Sequence, residues 1–306
     1  MPQIEANGIA LEYEDYGDKS APPLLLVMGL GAQLTLWPIE LVEALVERGF
    51  RVIRYDNRDI GLSGKIEGAK APGMVKLLLL SKIGLRPRVP YTLADMAADG
   101  IGLLDALGIN RAHIVGASMG GMIAQHMAFS HPERVLSLTS IMSTTGNRKL
   151  PAGSREAIAV LTRRPKSTDE EVLVEHGVKV ANAIGSPGYR QDPALLREKT
   201  RALVRRSFYP PGMPRQFAAI VADGDRRERL RSVRAPTLVI HGREDPLVPL
   251  AGGEDTARSI AGARLKTVPG MGHDLPVELV DAIADAIAEH AQLAAPAQAA
   301  AESQMT

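Results

Sequence analysis

The chain has 306 residues, of which 45% are hydrophobic and 23% charged, and its formal net charge is +1 at pH 7. That is ordinary globular composition with ample material for a buried core, and the lack of a basic excess argues against a general polyanion or nucleic-acid binder. Without cysteine there are no disulfides, thiolate metal sites or cysteine nucleophiles.

Ile4 to Tyr16 alternates around Asn7-Gly8, which signals a β-hairpin. Pro23 to Met28 is a short, solid apolar run and reads as a central parallel strand. A helix is expected from Trp37 to Arg48, then a strand from Phe50 to Asp56, then the turn-rich stretch Asn57 to Gly64. Met74 to Ile83 reads as a short apolar helix. Thr92 to Leu107 reads as a longer one, with Thr92 and Asp95 spaced for a capping box and Gly108 closing it. Ala112 onward is a buried strand that turns into a helix ending at Ser130, and Val135 to Met142 is a further strand. A hairpin followed by repeated β-α units implies an α/β fold with a mostly parallel, doubly wound sheet.

The pattern changes after Ser143. Residues 144–231 carry no strong strand signal and many prolines, and they offer helical segments at 153–163, 169–184, 192–206 and 213–222. This stretch is expected to be an inserted helical cap on a core formed by residues 1–143 and 232–306. Strand character resumes at Ala235 to His241. A helix near 250–261, a last strand from Arg264 to Val268 and a terminal amphipathic helix from Leu275 to His290 follow; the Ala/Gln tail beyond is expected to fray. No apolar run reaches membrane-spanning length. The first residues lack the basic and apolar regions of a signal peptide, so a cytoplasmic setting with no membrane partner is expected.

The chemistry centres on Gly116-Ala-Ser-Met-Gly120, a G-x-S-x-G pattern between the strand and its helix. A strand that turns at once into a helix holds its serine in a strained conformation, and side chains at 116 and 120 would clash there. Serine is a weak nucleophile at neutral pH and needs a base, which in turn needs an orienting acid. Two residues downstream fit those roles in the order Ser, Asp, His. Asp245 follows a strand in His241-Gly-Arg-Glu-Asp245, and His273 follows the last strand in Pro269-Gly-Met-Gly-His273. Glu244 and Asp274 are the neighbouring carboxylates, and His241 is a second histidine near the strand ends. Asp56, Arg58 and Asp59 read as turn-stabilising residues. No histidine pair stands at ligand spacing with a carboxylate, and Gly29-Leu-Gly31 lacks the third glycine of a dinucleotide fingerprint, so neither metal nor cofactor is expected.

Three segments, Leu26-Val-Met-Gly-Leu-Gly31, Tyr55-Asp-Asn-Arg-Asp-Ile-Gly-Leu-Ser63 and Pro269-Gly-Met-Gly-His273, are similar to those of the aclacinomycin-methylesterase-like carboxylesterases. The chain thus resembles a serine α/β-hydrolase over residues 10–143 and 232–290. The resemblance implies Ser118 as nucleophile, His273 as base and Asp245 as acid, with the backbone N–H groups of Leu30 and Met119 forming an oxyanion hole. The general motif has a His-Gly pair before the first donor; here Met28 stands in place of that histidine, as it does in the resembling esterases.

The expected function is hydrolysis of short- to medium-chain or small apolar carboxylic esters. The pocket walls are expected from Leu34, Trp37, Met142 and Leu275, and from Phe208, Tyr209 and Phe217 of the cap. A lactonase, C–C hydrolase or cofactor-free perhydrolase would use the same three residues. A non-catalytic binding protein on this fold is the alternative from another class.

Overall fold

The computed structural model describes residues 2–82 and 84–303. Asn7 and Gly8 both take positive φ, 52° and 73°, the backbone a two-residue type I′ hairpin requires. They join β1 (Gln3–Ala6) to β2 (Ile9–Tyr16) with Ala6 opposite Ile9. β3 (Pro23–Val27), α1 (Ile39–Glu47), β4 (Arg51–Tyr55), α2 (Met74–Lys82) and α3 (Leu93–Ala106) follow. Ile83, the expected end of α2, lies outside the described residues. The Thr92–Asp95 capping box forms as the sequence suggests. Next come β5 (Ala112–Ala117), α4 (Met119–Ser130) and β6 (Val135–Ile141). Five helices then intervene among the described residues: α5 (Arg155–Thr162), α6 (Glu170–Ile184), α7 (Pro193–Arg206), α8 (Gly212–Asp223) and α9 (Arg227–Leu230). The chain closes with β7 (Thr237–Gly242), α10 (Leu250–Ser259), β8 (Arg264–Val268) and α11 (Val280–Ser303).

The strands form one eight-stranded sheet in the order β1-β2-β4-β3-β5-β6-β7-β8, parallel from β4 to β8 with β1 and β2 antiparallel at one edge. Because strand side chains alternate, the apolar run of β3 feeds both faces. Leu25 and Val27 join the core on the α3 and α4 side, while Leu24 and Leu26 join the core beneath α1 and α11. Burial of each such side chain contributes about 1.5–3 kcal/mol, and the two layers together fix the sheet that carries the loops described below.

Two differences from the sequence reading have simple causes. The insertion returns to the core before residue 231: Ala219 and Leu230 are fully buried in the same cluster as Ile123 and Met127 of α4. Helix α9, which the sequence reading does not include, makes that return. At the C-terminus, Pro276 starts a single 3₁₀ turn at Val277–Leu279, so the long helix begins at Val280 instead of Leu275. It then runs to Ser303 in place of the expected fraying. Alanine is the best helix former, and Ala291 and Ala294 are buried.

Candidate active site

Ser118 sits between β5 and α4 with φ 56° and ψ −120°, a conformation rarely adopted by a side-chain-bearing residue. The flanking glycines explain how it is accommodated. A Cβ on Gly116 would lie 2.2 Å from the Gly120 carbonyl oxygen, and one on Gly120 would lie 1.9 Å from that of Val27. Both positions admit only hydrogen. The turn is pinned by core atoms: Ser118 N–H donates to Ile141 O (2.9 Å), and Ser143 Oγ donates to Ser118 O (2.8 Å).

Asp245 occupies the loop after β7, its side chain wholly buried. Its Oδ1 accepts the N–H groups of Leu247 (2.9 Å) and Val248 (2.8 Å), a turn the carboxylate makes with its own chain. That leaves Oδ2 to accept from Nδ1 of His273 at 2.7 Å. With Nδ1 protonated, Nε2 presents a lone pair to Ser118 Oγ, 2.9 Å away. Serine, histidine and aspartate therefore form one continuous hydrogen-bonded relay.

The neighbouring groups are engaged elsewhere. Glu244 accepts from Gly270 N–H (2.6 Å), and Asp274 accepts from Ser186 Oγ. His241 donates from Nε2 to Val248 O (2.8 Å) and lies 3.6 Å from Asp245. Burial pushes its pKa down, against the opposing pull of Val248 O and Asp245, so it braces the Asp245 loop as a neutral ring. His113 pairs with Ser137 Oγ (2.8 Å), and His126 with Asp223 (3.0 Å).

Leu30 lies in the loop after β3. The preceding Gly29 packs directly on the serine, since a Cβ there would sit 3.1 Å from Ser118 Cβ and 3.5 Å from Oγ. Met119 opens α4, where the first N–H groups have no acceptor within the helix. The oxyanion-hole candidates thus flank the serine.

The expected pocket residues are less uniform. Trp37 is fully buried and Met142 nearly so, both in the core with Leu41 and Leu45, and Leu275 packs half-buried against them. Leu34 is fully buried and its N–H donates to Asp56 (2.7 Å). Phe217 is half-buried on α8, and Phe208 is 41% exposed. Tyr209 is drawn to Arg215, which donates to its hydroxyl (3.1 Å) and lies over its ring. Met213, absent from the sequence reading, touches the Leu30 loop instead: a Cβ on Gly31 would lie 3.4 Å from its Cγ.

The turn after β4 reaches further than local stabilisation. Asp56 accepts from Arg206 Nη1 of α7 (2.7 Å), and Asp59 receives Arg215 of α8 through two bonds (2.7 and 2.6 Å). Nothing in the spacing of either the loop or the inserted helices signals these long-range partners.

The family described as alpha/beta hydrolase fold matches residues 22–278. The chain belongs to that family. A rhodomycin D methylesterase of Streptomyces peucetius is 31% identical, the alignment covering 95% of this chain and 98% of the relative. A 3-oxoadipate enol-lactonase of Acinetobacter baylyi is 27% identical over 87% of each chain. Among solved structures, the enol-lactonase from Burkholderia xenovorans superposes with a TM-score of 0.72 at 25% identity, covering 94% of this chain and 99% of that one. Among the described residues of this hydrolase, no helix is long and apolar enough to cross a membrane, and no group of three or more His, Asp or Glu could hold a metal.

Proposed function

We propose that this carboxylic ester hydrolase works by acyl transfer through Ser118. Its Oγ attacks the ester carbonyl carbon while Nε2 of His273 takes the hydroxyl proton. Asp245 holds the imidazole in that tautomer and stabilises the imidazolium. The N–H groups of Leu30 and Met119 receive the developing oxyanion. Collapse breaks the C–O bond, and His273 returns its proton to the departing alcohol. Water, deprotonated by His273, then releases the acid from the acyl-enzyme. The observation that carries this reading is the relay with spacings of 2.7 and 2.9 Å.

The substrate we infer is a small or short- to medium-chain apolar ester. Leu30, Met213 and Leu275 are partly exposed apolar side chains on or against the relay loops, and on this reading the five-helix insertion limits how far an acyl chain extends. A cyclic ester is the second reading, supported by the two enol-lactonase likenesses; ring opening uses the same bond changes.

The test has two arms. Ser118→Ala should abolish both turnover and labelling by a fluorophosphonate probe, with a loss of kcat on the order of 10⁶. Asp245→Asn should lose about 10⁴ because the amide favours the wrong tautomer. Activity of Ser118→Ala within tenfold of wild type would remove this serine from the mechanism. Across p-nitrophenyl esters from acetate to palmitate, kcat/KM should peak at short or medium length. A steady rise to palmitate with interfacial activation would reject the capped-pocket reading.

A further inference from the structure

We propose that the cap is part of the catalytic geometry, with Gln216 and Ser186 as positioning residues. The inference rests on the acyl-transfer reading above. The two sides of the site are held differently. The serine is pinned by core atoms alone: Ile141, Ser143 and the glycine contacts of its own turn. The loops bearing the oxyanion donor and the base are each tied to the cap.

On the oxyanion side, Gln216 of α8 is fully buried. Its Oε1 accepts from Gly31 N–H (2.9 Å), one residue past Leu30, and its Nε2 donates to Arg58 O (2.9 Å). With both ends of the amide engaged, its orientation is set. The adjacent Arg215 grips Asp59, and a Cβ on Gly212 would lie 2.2 Å from Asp59 O, so the start of α8 is seated against the core. On the base side, the end of α6 and the segment after it hold His273 and the residues flanking it. His273 N–H donates to Ile184 O (2.8 Å), and Gly188 N–H donates to Gly270 O (2.9 Å). Ser186 Oγ accepts from Gly272 N–H (2.8 Å) and donates its own proton to Asp274. The approach is close: a Cβ on Gly272 would lie 2.6 Å from Gly185 O.

Displacing α8 and the end of α6 would break both sets of bonds while leaving the serine turn intact. The seated insertion therefore adds to the core contacts of both loops, such as His273 Nδ1 to Asp245 and Asn57 to Met28 O, in holding the Leu30 N–H and the His273 ring in register with Ser118 Oγ. Misplacement of such groups by about an ångström costs on the order of a hundredfold in rate.

The decisive experiment measures kcat, KM and the inhibition constant of a trifluoromethyl ketone, which adds to the serine and mimics the tetrahedral state. The variants are Gln216→Met, Gln216→Glu, Ser186→Ala and Ser186→Thr, with Arg201→Ala on the cap surface as control. Thermal midpoints confirm that each is folded. We expect Gln216→Met and Ser186→Ala to lower kcat by roughly 10- to 100-fold with KM within about threefold, and to weaken the ketone in step with kcat/KM. Ser186→Thr, which keeps the hydroxyl, should restore most of the rate. Gln216→Glu is closest in size and guards against a folding failure of the methionine variant. It loses the donor to Arg58 O and puts a carboxylate near the oxyanion, so it should also lose kcat. Folded variants with wild-type kcat, or with raised KM alone, would overturn the inference. If those variants are still labelled at Ser118 by a fluorophosphonate, the acyl-transfer reading survives that result. Turnover by Ser118→Ala would instead sink that reading.

Discussion

Helix α7 carries four arginines that face two different environments. Arg197, Arg201 and Arg205 form a ladder with Glu170, Glu171 and Glu175 of α6, in which Arg205 is 65% exposed and Glu171 58%. Arg206, the very next residue, turns inward to Asp56, whose side chain is wholly buried, and Arg215 of α8 meets the equally buried Asp59. The first set lies at the surface, from 25% exposed at Arg201 to 65% at Arg205, where two long side chains lose entropy to make a bond that solvent and salt weaken. The second is desolvated, so each partner depends on the other for the charge balance that water would otherwise supply. One set decorates the surface of the helical insertion; the other fastens the insertion to the loop after β4. Surface ion pairs and latches look alike in a sequence, and only their surroundings separate them.

The largest effect that probes this contrast should come from Arg215→Met, which leaves Asp59 buried without its partner. A loss of about 3–5 kcal/mol is expected in urea unfolding. Adding Asp59→Asn should recover most of it, since asparagine tolerates the φ of 71° at that position. If Arg215→Met costs no more than Arg201→Ala, the distinction between latch and ladder collapses.

Acid should next sharpen the contrast, because the interior is more pH-sensitive than the ladder. Burial lowers His113 to about 4 and also lowers His126, His241 and His290. His126 faces Asp223, which opposes the shift, and Arg226 and Arg229, which reinforce it. In the unfolded chain these rings protonate near an ordinary imidazole pKa of about 6.5. Between that value and the folded pKa the unfolded state binds more protons, so stability is full above about pH 6.5 and falls as pH drops towards 4. The slope is at most about 1.4 kcal/mol per pH unit for each histidine. Urea midpoints should therefore decline from pH 7 to 5, and His113→Asn should flatten the curve. A pH-independent midpoint over that range would contradict the assignment of buried neutral rings.

The smallest effect belongs to the ladder. Arg201→Ala should leave the melting temperature nearly unchanged, and any difference should vanish at high salt. A large, salt-resistant loss would show that the ladder, too, holds the insertion together.

Much of the site was legible before the structure because its signals are local. The serine turn is written as Gly116-Ala-Ser-Met-Gly120 between a β-branched run and a helical stripe, and the steric reason for its glycines acts within five residues. The hairpin at Asn7-Gly8 and the capping box at Thr92–Asp95 are short-range in the same sense. The order Ser118, Asp245, His273 placed three groups at the ends of parallel strands, and the topology brings them together.

What the sequence alone determined, then, is what neighbours along the chain decide: strand and helix type, the strained serine turn, and which loops end on one edge of the sheet. Which carboxylate meets His273 was a tertiary decision. Asp245 does so because its other oxygen closes a turn on Leu247 and Val248, while Gly270 engages Glu244 and Ser186 engages Asp274. The packing of Trp37 and Met142 into the core, and the reach of Arg206, Arg215 and Gln216 from the inserted helices to the core loops, were tertiary decisions as well. A buried polar side chain finds its partner through contacts that span 150 residues or more of chain, as Arg206 to Asp56 does. Local periodicity records only which face of a helix is turned inward, and it carries no trace of what waits on the other side.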